Sequence, residues 1–263
     1  MSLLLAPHWA FSECVLGDCE SGNGTYEWAN GETYSGSWEG FKPHGYGVWT
    51  SKDLQYMGDW KSGHMSGEAV VSYSNGDEYI GTVENGHWNG KGTVKYNDGD
   101  FYTGDFVMNE RTGDGLESIG GDLYVGSFLQ GSYHGIGTLT YSDGYRYEGD
   151  WLNGKRHGFG SETLPQKFTY TGEFSAGTWN GFGKAILASG EVLEGMWRNG
   201  KYAGSAEETY IAEQLISIAS KHCSSKGFTA GTSRHRNCVV EKAIADARSQ
   251  HDQRVAKIKA DTA

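Results

Sequence analysis

A tyrosine that returns every 22 or 23 residues constrains this chain more than any other feature. The pattern Tyr-x-Gly-x-apolar starts at Tyr34, Tyr56, Tyr79, Tyr102, Tyr124, Tyr147 and Tyr170, and Leu193 takes the eighth slot. A fixed period of this length marks a repeat architecture, in which each copy is one supersecondary unit that buries its apolar face only by stacking on its neighbours. A glycine follows two residues after each anchor (Gly36, Gly58 and Gly81 in the first three copies), and an apolar residue follows four after it (Trp38, Trp60, Val83, Phe106, Phe128, Trp151, Phe174, Trp197). Polar residues such as Ser37, Asp59, Asp105 and Asp150 alternate with them. Alternation with a period of two is the signature of a strand with one buried face.

Each copy carries a second strand, opened by Gly-x-Gly at Gly45/Gly47, Gly90/Gly92, Gly113/Gly115, Gly135/Gly137, Gly158/Gly160 and Gly181/Gly183, with Gly67/Ala69 as the variant. A glycine set between two large side chains leaves a slot in which a neighbouring ring can lie flat. The two strands are joined by turns such as Asn153-Gly154-Lys155-Arg156-His157. Between copies stand Asn30-Gly31, Asn75-Gly76, Asp98-Gly99 and Asp143-Gly144, dipeptides that favour type I′ hairpin turns. That signal is missing before Tyr56 and before Tyr170. Residues 22–33 fit the second half of one further copy.

The run Tyr147-Glu-Gly149-Asp-Trp151-Leu-Asn-Gly154-Lys-Arg-His157-Gly158-Phe-Gly160 resembles the consensus MORN repeat. The resemblance covers about 70% of the chain. It implies a mostly β fold: a single-layer, twisted antiparallel sheet of successive hairpins curved into an open trough. It also implies roles in tethering, assembly and partner binding. The expected organisation is an N-terminal arm over 1–21, a repeat domain over 22–204 with eight repeats and the leading half repeat, and a helical tail over 205–263.

Composition agrees. Forty-one glycines and 13% aromatic residues suit tight turns and ring-covered strands rather than disorder. Residues 22–204 hold 13 Lys/Arg against 23 Asp/Glu, and residues 205–263 hold 9 against 7. An acidic body repels phosphate backbones and anionic headgroups, so nucleic acid is not an expected partner and membrane association is peripheral at most. No stretch approaches the roughly 20 apolar residues of a membrane span.

Both ends carry cysteine pairs, Cys14/Cys19 and Cys223/Cys238. Each pair brackets a short loop, as disulfides of an oxidising compartment do; free thiols are the alternative, and the spacings are wrong for common zinc knuckles. Residues 1–12 are apolar and end in Ala10-Phe11-Ser12, which reads either as a clipped signal peptide or as an ordinary apolar arm. These features point to a periplasmic or secreted protein; a cytoplasmic scaffold is the alternative. In the tail, Ser205-Ala-Glu-Glu208 is a capping box ahead of Ile211, Leu215, Ile218 and Ala219, so a helix starts here and stops at Gly227. A second helix runs from about Ser233 through Val239, Ala243, Ile244, Ala247, Val255 and Ile258, making an α-helical hairpin stapled by Cys223–Cys238. The string from Cys223 to Cys238 resembles short tails of bacterial envelope proteins. The hairpin either caps the last repeat or docks a partner or a second copy, giving a homodimer.

The search for chemistry finds none. His44, His134 and His157 share one slot of different repeats, but two strands per repeat place equivalent residues roughly 10 Å apart, too far for one metal. The acidic row Glu32, Asp77, Asp100, Asp122 and Glu191 meets the same objection and reads as a solvated turn edge. No phosphate-binding loop, nucleophile elbow or zinc-protease motif occurs. The expectation is a protein that is not an enzyme and takes no cofactor or metal. It presents an aromatic, glycine-lined trough to a peptide or helix of another protein, with Tyr34, Trp38, Trp60, Tyr79, Tyr102, Tyr147 and Trp151 as candidate anchors. Tyrosines and tryptophans in such a pattern equally make a sheet's own core. A second expectation is a glycan or lipid-headgroup module of the cell envelope, the lipid reading resting on Lys221, Lys226, Arg234 and Arg236.

Overall fold

The computed structural model describes residues 12–230, together with 232, 234, 235, 238, 239, 241–243, 245, 246 and 249. The chain is mostly β and divides into two compact units, one ending at Pro165 and the other starting at Gln166. The first unit runs β1 (Glu13–Gly17), β2 (Asn23–Glu27), β3 (Thr33–Glu39), β4 (Lys42–Thr50), β5 (Leu54–Lys61), β6 (His64–Tyr73) and β7 (Glu78–Glu84). It continues through β8 (His87–Lys95), β9 (Phe101–Val107), β10 (Glu110–Ile119), β11 (Asp122–Leu129), β12 (Ser132–Thr140), β13 (Arg146–Leu152) and β14 (Lys155–Leu164). From β1 to β14 each strand of this unit pairs antiparallel with the next, so the unit is a single layer of hairpins.

The second unit holds β15 (Phe168–Ser175), β16 (Thr178–Leu187), β17 (Val192–Arg198), β18 (Lys201–Gly204) and the helix α1 (Ala206–Ser225). Its strands form two further antiparallel hairpins. Helix α1 ends as the sequence predicts: Gly227 is left-handed at φ 84°, Phe228 N–H donates to the Cys223 carbonyl and Gly227 N–H to that of Ser224. This is the closing pattern that satisfies the last carbonyls of a helix. Both cysteine pairs are disulfides, Cys14–Cys19 and Cys223–Cys238. Of the second tail helix, Arg234, His235, Cys238, Val239, 241–243, Ala245, Asp246 and Ser249 are helical; Ser233, Ile244, Ala247, Val255 and Ile258 lie outside the described residues, as do 1–11 of the apolar start.

One hairpin shows why the glycines recur. Gly36 pairs with Gly47, but the next pair is Trp38 with Pro43, so β4 carries an extra bulge around Gly45, which sits at φ 64° where a side chain is strained. A Cβ on Gly47 would fall 2.2 Å from the Tyr34 hydroxyl oxygen. The first glycine of Gly-x-Gly therefore bends the strand, and the second lies under a ring.

The turns correct one sequence expectation. Two left-handed residues in succession, the mark of type I′, occur inside the repeats, as at Asn85/Gly86 (φ 51° and 81°) and Asn153/Gly154 (φ 50° and 73°). At the Asn-Gly and Asp-Gly dipeptides between repeats only the glycine is left-handed: at Asn75-Gly76, Gly76 N–H donates to the Tyr73 carbonyl and Tyr73 N–H to that of Asp77. This three-residue loop closes on a glycine bulge, so the asparagine keeps negative φ and uses its side chain instead, Asn75 Oδ1 accepting Asp77 N–H at 3.1 Å.

Candidate partner-binding face

Seven anchor tyrosines, Tyr34, Tyr56, Tyr79, Tyr102, Tyr124, Tyr147 and Tyr170, are completely buried although the sheet is one layer thick. Each ring lies along its own hairpin and donates its hydroxyl to the carbonyl three residues on, as Tyr34 does to Ser37 (2.9 Å), Tyr79 to Thr82 (2.7 Å) and Tyr147 to Asp150 (2.8 Å). Burial pushes the Tyr34 and Tyr102 hydroxyls up to about 12, and those of Tyr56, Tyr79, Tyr124 and Tyr147 higher still. The residues four positions on close the gaps edge-to-face: Trp38 and Trp60 stand 5.0 and 5.1 Å from the Tyr34 ring, and Trp151 stands 5.1 Å from Tyr147. Trp38 and Trp151 donate their indole N–H to the carbonyls of Gly24 and Gly137, whereas the Trp60 indole N–H is buried without a partner.

All seven candidate anchors thus lie in this buried ring layer, with Trp38, Trp60 and Trp151 only 7%, 8% and 6% exposed. What reaches the surface above them is a second row that sequence reasoning passed over. Nine residues after each anchor, on the second strand of the same repeat, stands a half-buried cap: Pro43, Met65, Trp88, Arg111, Tyr133 and Arg156 in the first unit and Trp179 in the second. Trp88 stacks flat on Tyr79 (centroids 4.3 Å, planes 5°), Tyr133 on Tyr124 (3.7 Å, 7°) and Trp179 on Tyr170 (4.3 Å, 4°). Arg111 and Arg156 place guanidinium carbons 5.5 and 5.9 Å from the centroids of Tyr102 and Tyr147, a cation on a ring face. The only signal in the sequence is position, since no single residue type runs the length of the row.

The backbone fixes these caps. A turn N–H of the following repeat donates to the carbonyl of the cap: Gly63 to Pro43, Gly86 to Met65, Asn109 to Trp88, Gly131 to Arg111, Gly154 to Tyr133 and, in the second unit, Gly200 to Trp179. At the other ends of the strands the acidic row does the same work with side chains. Asp77, Asp100 and Asp122 accept the N–H of Asn97, Gly120 and Ser142 at 2.9, 2.8 and 3.0 Å, each reaching about one repeat onward. At these three positions the expected solvated turn edge is therefore a set of carboxylate bridges between successive turns.

Wherever the cap is arginine, the residue six positions later is a buried glutamate. Arg111 pairs with Glu117, which also accepts the Tyr133 hydroxyl (2.7 Å), and Arg156 pairs with Glu162 (3.0 Å), which also accepts the Tyr145 hydroxyl (2.8 Å). In the neighbouring repeats the two slots hold Pro43/Trp49, Met65/Val71, Trp88/Val94 and Tyr133/Leu139. Two open cavities notch the face: one of about 580 Å³ between the β1–β2 turn and the β3–β4 turn, and one of about 480 Å³ beside Tyr73, Asn75, Asp77, Trp88 and Tyr96. The opposite face exposes the residue between the paired glycines, as at Tyr46, Ile136 and Phe159. His44 contacts Glu39 (3.1 Å) and His134 has a buried ring nitrogen without a partner; among the described residues no three His, Cys, Asp or Glu cluster as a metal site.

The family model described as MORN repeat matches residues 20–33, 34–54, 56–78, 79–101, 124–144, 147–167, 170–192 and 194–211. It passes over 102–123, whose hairpin keeps the register and, like the matched 147–167, carries an arginine cap with a buried glutamate, but turns on Met108-Asn109. Among curated proteins, Alsin of Rattus norvegicus and Alsin of Homo sapiens are each 36% identical over 62 residues, 21% of this chain and 4% of theirs, so the chain matches a small fraction of those relatives. Among solved structures, the TCP10 domain of Danio rerio CPAP gives a TM-score of 0.38 at 12% identity, over 70% of this chain and 89% of that one. The SAS-4 (dCPAP) TCP domain of Drosophila melanogaster, in complex with a proline-rich motif of Ana2 (dSTIL), gives 0.38 at 12% identity over 65% and 97%. Likeness at that level says nothing of function.

Proposed function

Because this chain belongs to the MORN-repeat family, we propose that it is a non-catalytic scaffold that holds a segment of another protein across its row of caps. The observation that carries this reading is the cap row itself. Proline, methionine, tryptophan, arginine and tyrosine side chains stand half-exposed about 10 Å apart, one per two strands, above a layer of fully buried tyrosine rings. Binding energy concentrates in aromatic and arginine side chains held rigid before the partner arrives, because little conformational entropy remains to be lost. Tyr34, Trp38, Trp60, Tyr79, Tyr102, Tyr147 and Trp151 serve in this proposal as the fixed floor. The spacing suits an extended segment that crosses successive hairpins.

Two disulfides support an oxidising compartment, and we place the working protein outside the cytosol. Site-specific photo-crosslinkers at Met65, Trp88 and Tyr133, compared with crosslinkers at Tyr46 and Phe159 on the opposite face, test the binding reading in the native source. One protein captured from the cap positions alone is the expected result; capture from the opposite face alone removes it. A second reading, glycan binding, draws on the cavity beside Tyr73, Trp88 and Tyr96, where ring faces meet the polar side chains of Asn75 and Asp77. A glycan panel with no signal above background sets it aside.

A further inference from the structure

The cavity at the N-terminal end is missing a charge that the rest of the face supplies. Along the ring layer the chain twice seats a guanidinium against aromatic rings and compensates it with a carboxylate, at Arg111 with Glu117 and at Arg156 with Glu162. The N-terminal cavity has the same two ingredients. Its aromatic walls are Tyr26, Trp28, Trp38 and Phe41, with Tyr26 5.0 Å from Trp28 and 5.9 Å from Trp38 at steep angles, and Asp18 and Glu20 supply carboxylates. No lysine or arginine lines it among the described residues.

The cavity is also built rather than incidental. The Cys14–Cys19 disulfide closes the turn that carries Asp18, and backbone hydrogen bonds tie that turn to the neighbouring hairpin, Trp38 N–H to Gly22 O (2.7 Å) and Phe41 N–H to Glu20 O (3.0 Å). Asp18 accepts the N–H groups of Glu20 and Ser21 at 2.8 and 3.2 Å, which hold its carboxyl below the ordinary carboxylate value and keep it anionic. Phe41, 69% exposed, stands on the lip at φ 62°, a left-handed position where a phenylalanine is strained. The rings that reach the cavity are the half-buried Tyr26 and Trp28 and the exposed Phe41, with Pro43, the smallest cap, beside them.

We infer that this cavity receives the guanidinium of an arginine carried by a partner segment, the aromatic walls stacking on its plane and Asp18 and Glu20 balancing its charge. About 580 Å³ is more than a guanidinium fills, which leaves space for the aliphatic stem and flanking backbone. A planar, weakly hydrated cation suits ring faces better than a compact ammonium does. The inference rests on the reading of the chain as a protein-binding scaffold.

The test uses the full chain and three capped tripeptides, glycine-X-glycine with X arginine, citrulline or lysine, titrated against the indole N–H signals of Trp28 and Trp38 by NMR. Citrulline keeps the shape of arginine and removes its charge. The expected result is saturable binding of the arginine peptide, roughly tenfold tighter than the citrulline and lysine peptides, and weakening with salt. Asp18→Asn and Glu20→Gln each weaken it severalfold; in the first variant the amide oxygen that replaces the carboxylate still accepts the two turn N–H groups, so the loop is kept. Phe159→Ser, on the opposite face, leaves it unchanged. No saturable shift, or equal binding of citrulline or lysine, overturns the assignment. Arginine binding without a crosslinked partner on the cap row leaves the pocket standing and removes the scaffold reading; the reverse pattern removes the pocket alone.

Discussion

The Trp88 indole lies parallel to the buried Tyr79 ring, 4.3 Å from it, and one of the two is wholly inside the protein while the other meets water. The pair separates what holds the sheet from what the sheet presents. Truncating Tyr79 opens the ring layer and leaves a cavity, which for a buried aromatic costs about 3–5 kcal/mol. Truncating Trp88 forfeits mainly a stacked contact worth roughly 1 kcal/mol beyond its partial burial. Thermal melts of Tyr79→Ala and Trp88→Ala should therefore differ by many degrees, with partner capture lost in the milder variant. Equal destabilisation would assign Trp88 to the core.

The buried ion pairs predict a rescue. Glu117→Val alone strips the compensating charge from Arg111 and should cost about 3–5 kcal/mol, the usual penalty for orphaning one half of a buried pair. Adding Arg111→Trp recreates the Trp88/Val94 combination of an earlier repeat and should recover most of that loss in a urea titration. A double variant no more stable than the single one would show that the glutamate is kept for its bond from Tyr133.

The tyrosine layer fixes the alkaline limit of the fold. A hydroxyl held near 12 in the folded chain and near 10 in the unfolded one contributes stability in full below about pH 10, and loses it as pH climbs toward 12. Six of the anchor rings act together, those of Tyr56, Tyr79, Tyr124 and Tyr147 being held higher than those of Tyr34 and Tyr102. Tyrosinate absorbance and far-ultraviolet circular dichroism, followed upward in pH, should change in one step above about pH 10. Ionisation of the buried rings well before loss of the β signal would contradict this picture.

Trp60 offers a finer test of the layer. Its indole N–H has no partner, whereas those of Trp38 and Trp151 are bonded to glycine carbonyls. Trp38→Phe and Trp151→Phe should each cost on the order of 1 kcal/mol more than Trp60→Phe, because only they surrender a hydrogen bond and leave a carbonyl unpaired. Denaturant midpoints of the three single variants decide it.

Much of the fold was legible because its determinants recur. A two-residue alternation repeated eight times gave the strands, their buried side and the order of hairpins, and a capping box with Gly227 bounded the first tail helix. The candidate site was legible only to its floor. Tyr34 and Trp60 advertise themselves by type, but the half-exposed caps Pro43, Met65, Trp88 and Arg111 share a position and no chemistry. The Arg-to-Glu spacing of six was visible in Arg111/Glu117 and Arg156/Glu162, yet only strand pairing shows that it spans a bulge. The turns misled for a simpler reason: Asn-Gly serves both the two-residue loop at Asn153-Gly154 and the three-residue loop at Asn75-Gly76, and loop length, set by register, decides which torsions the asparagine adopts.

Pro43, Met65, Trp88, Arg111, Tyr133 and Trp179 are each pinned through the carbonyl by a turn of the next repeat, and that latch involves no side chain. A cap without a buried counter-charge can therefore be exchanged without asking its neighbours' permission, as Pro43, Met65 and Trp88 already attest in one unit, whereas Arg111 and Arg156 each bring a glutamate with them. The backbone behaves like ruled paper with a line every two strands, and what this chain offers along one face is spelled by the letters written on it.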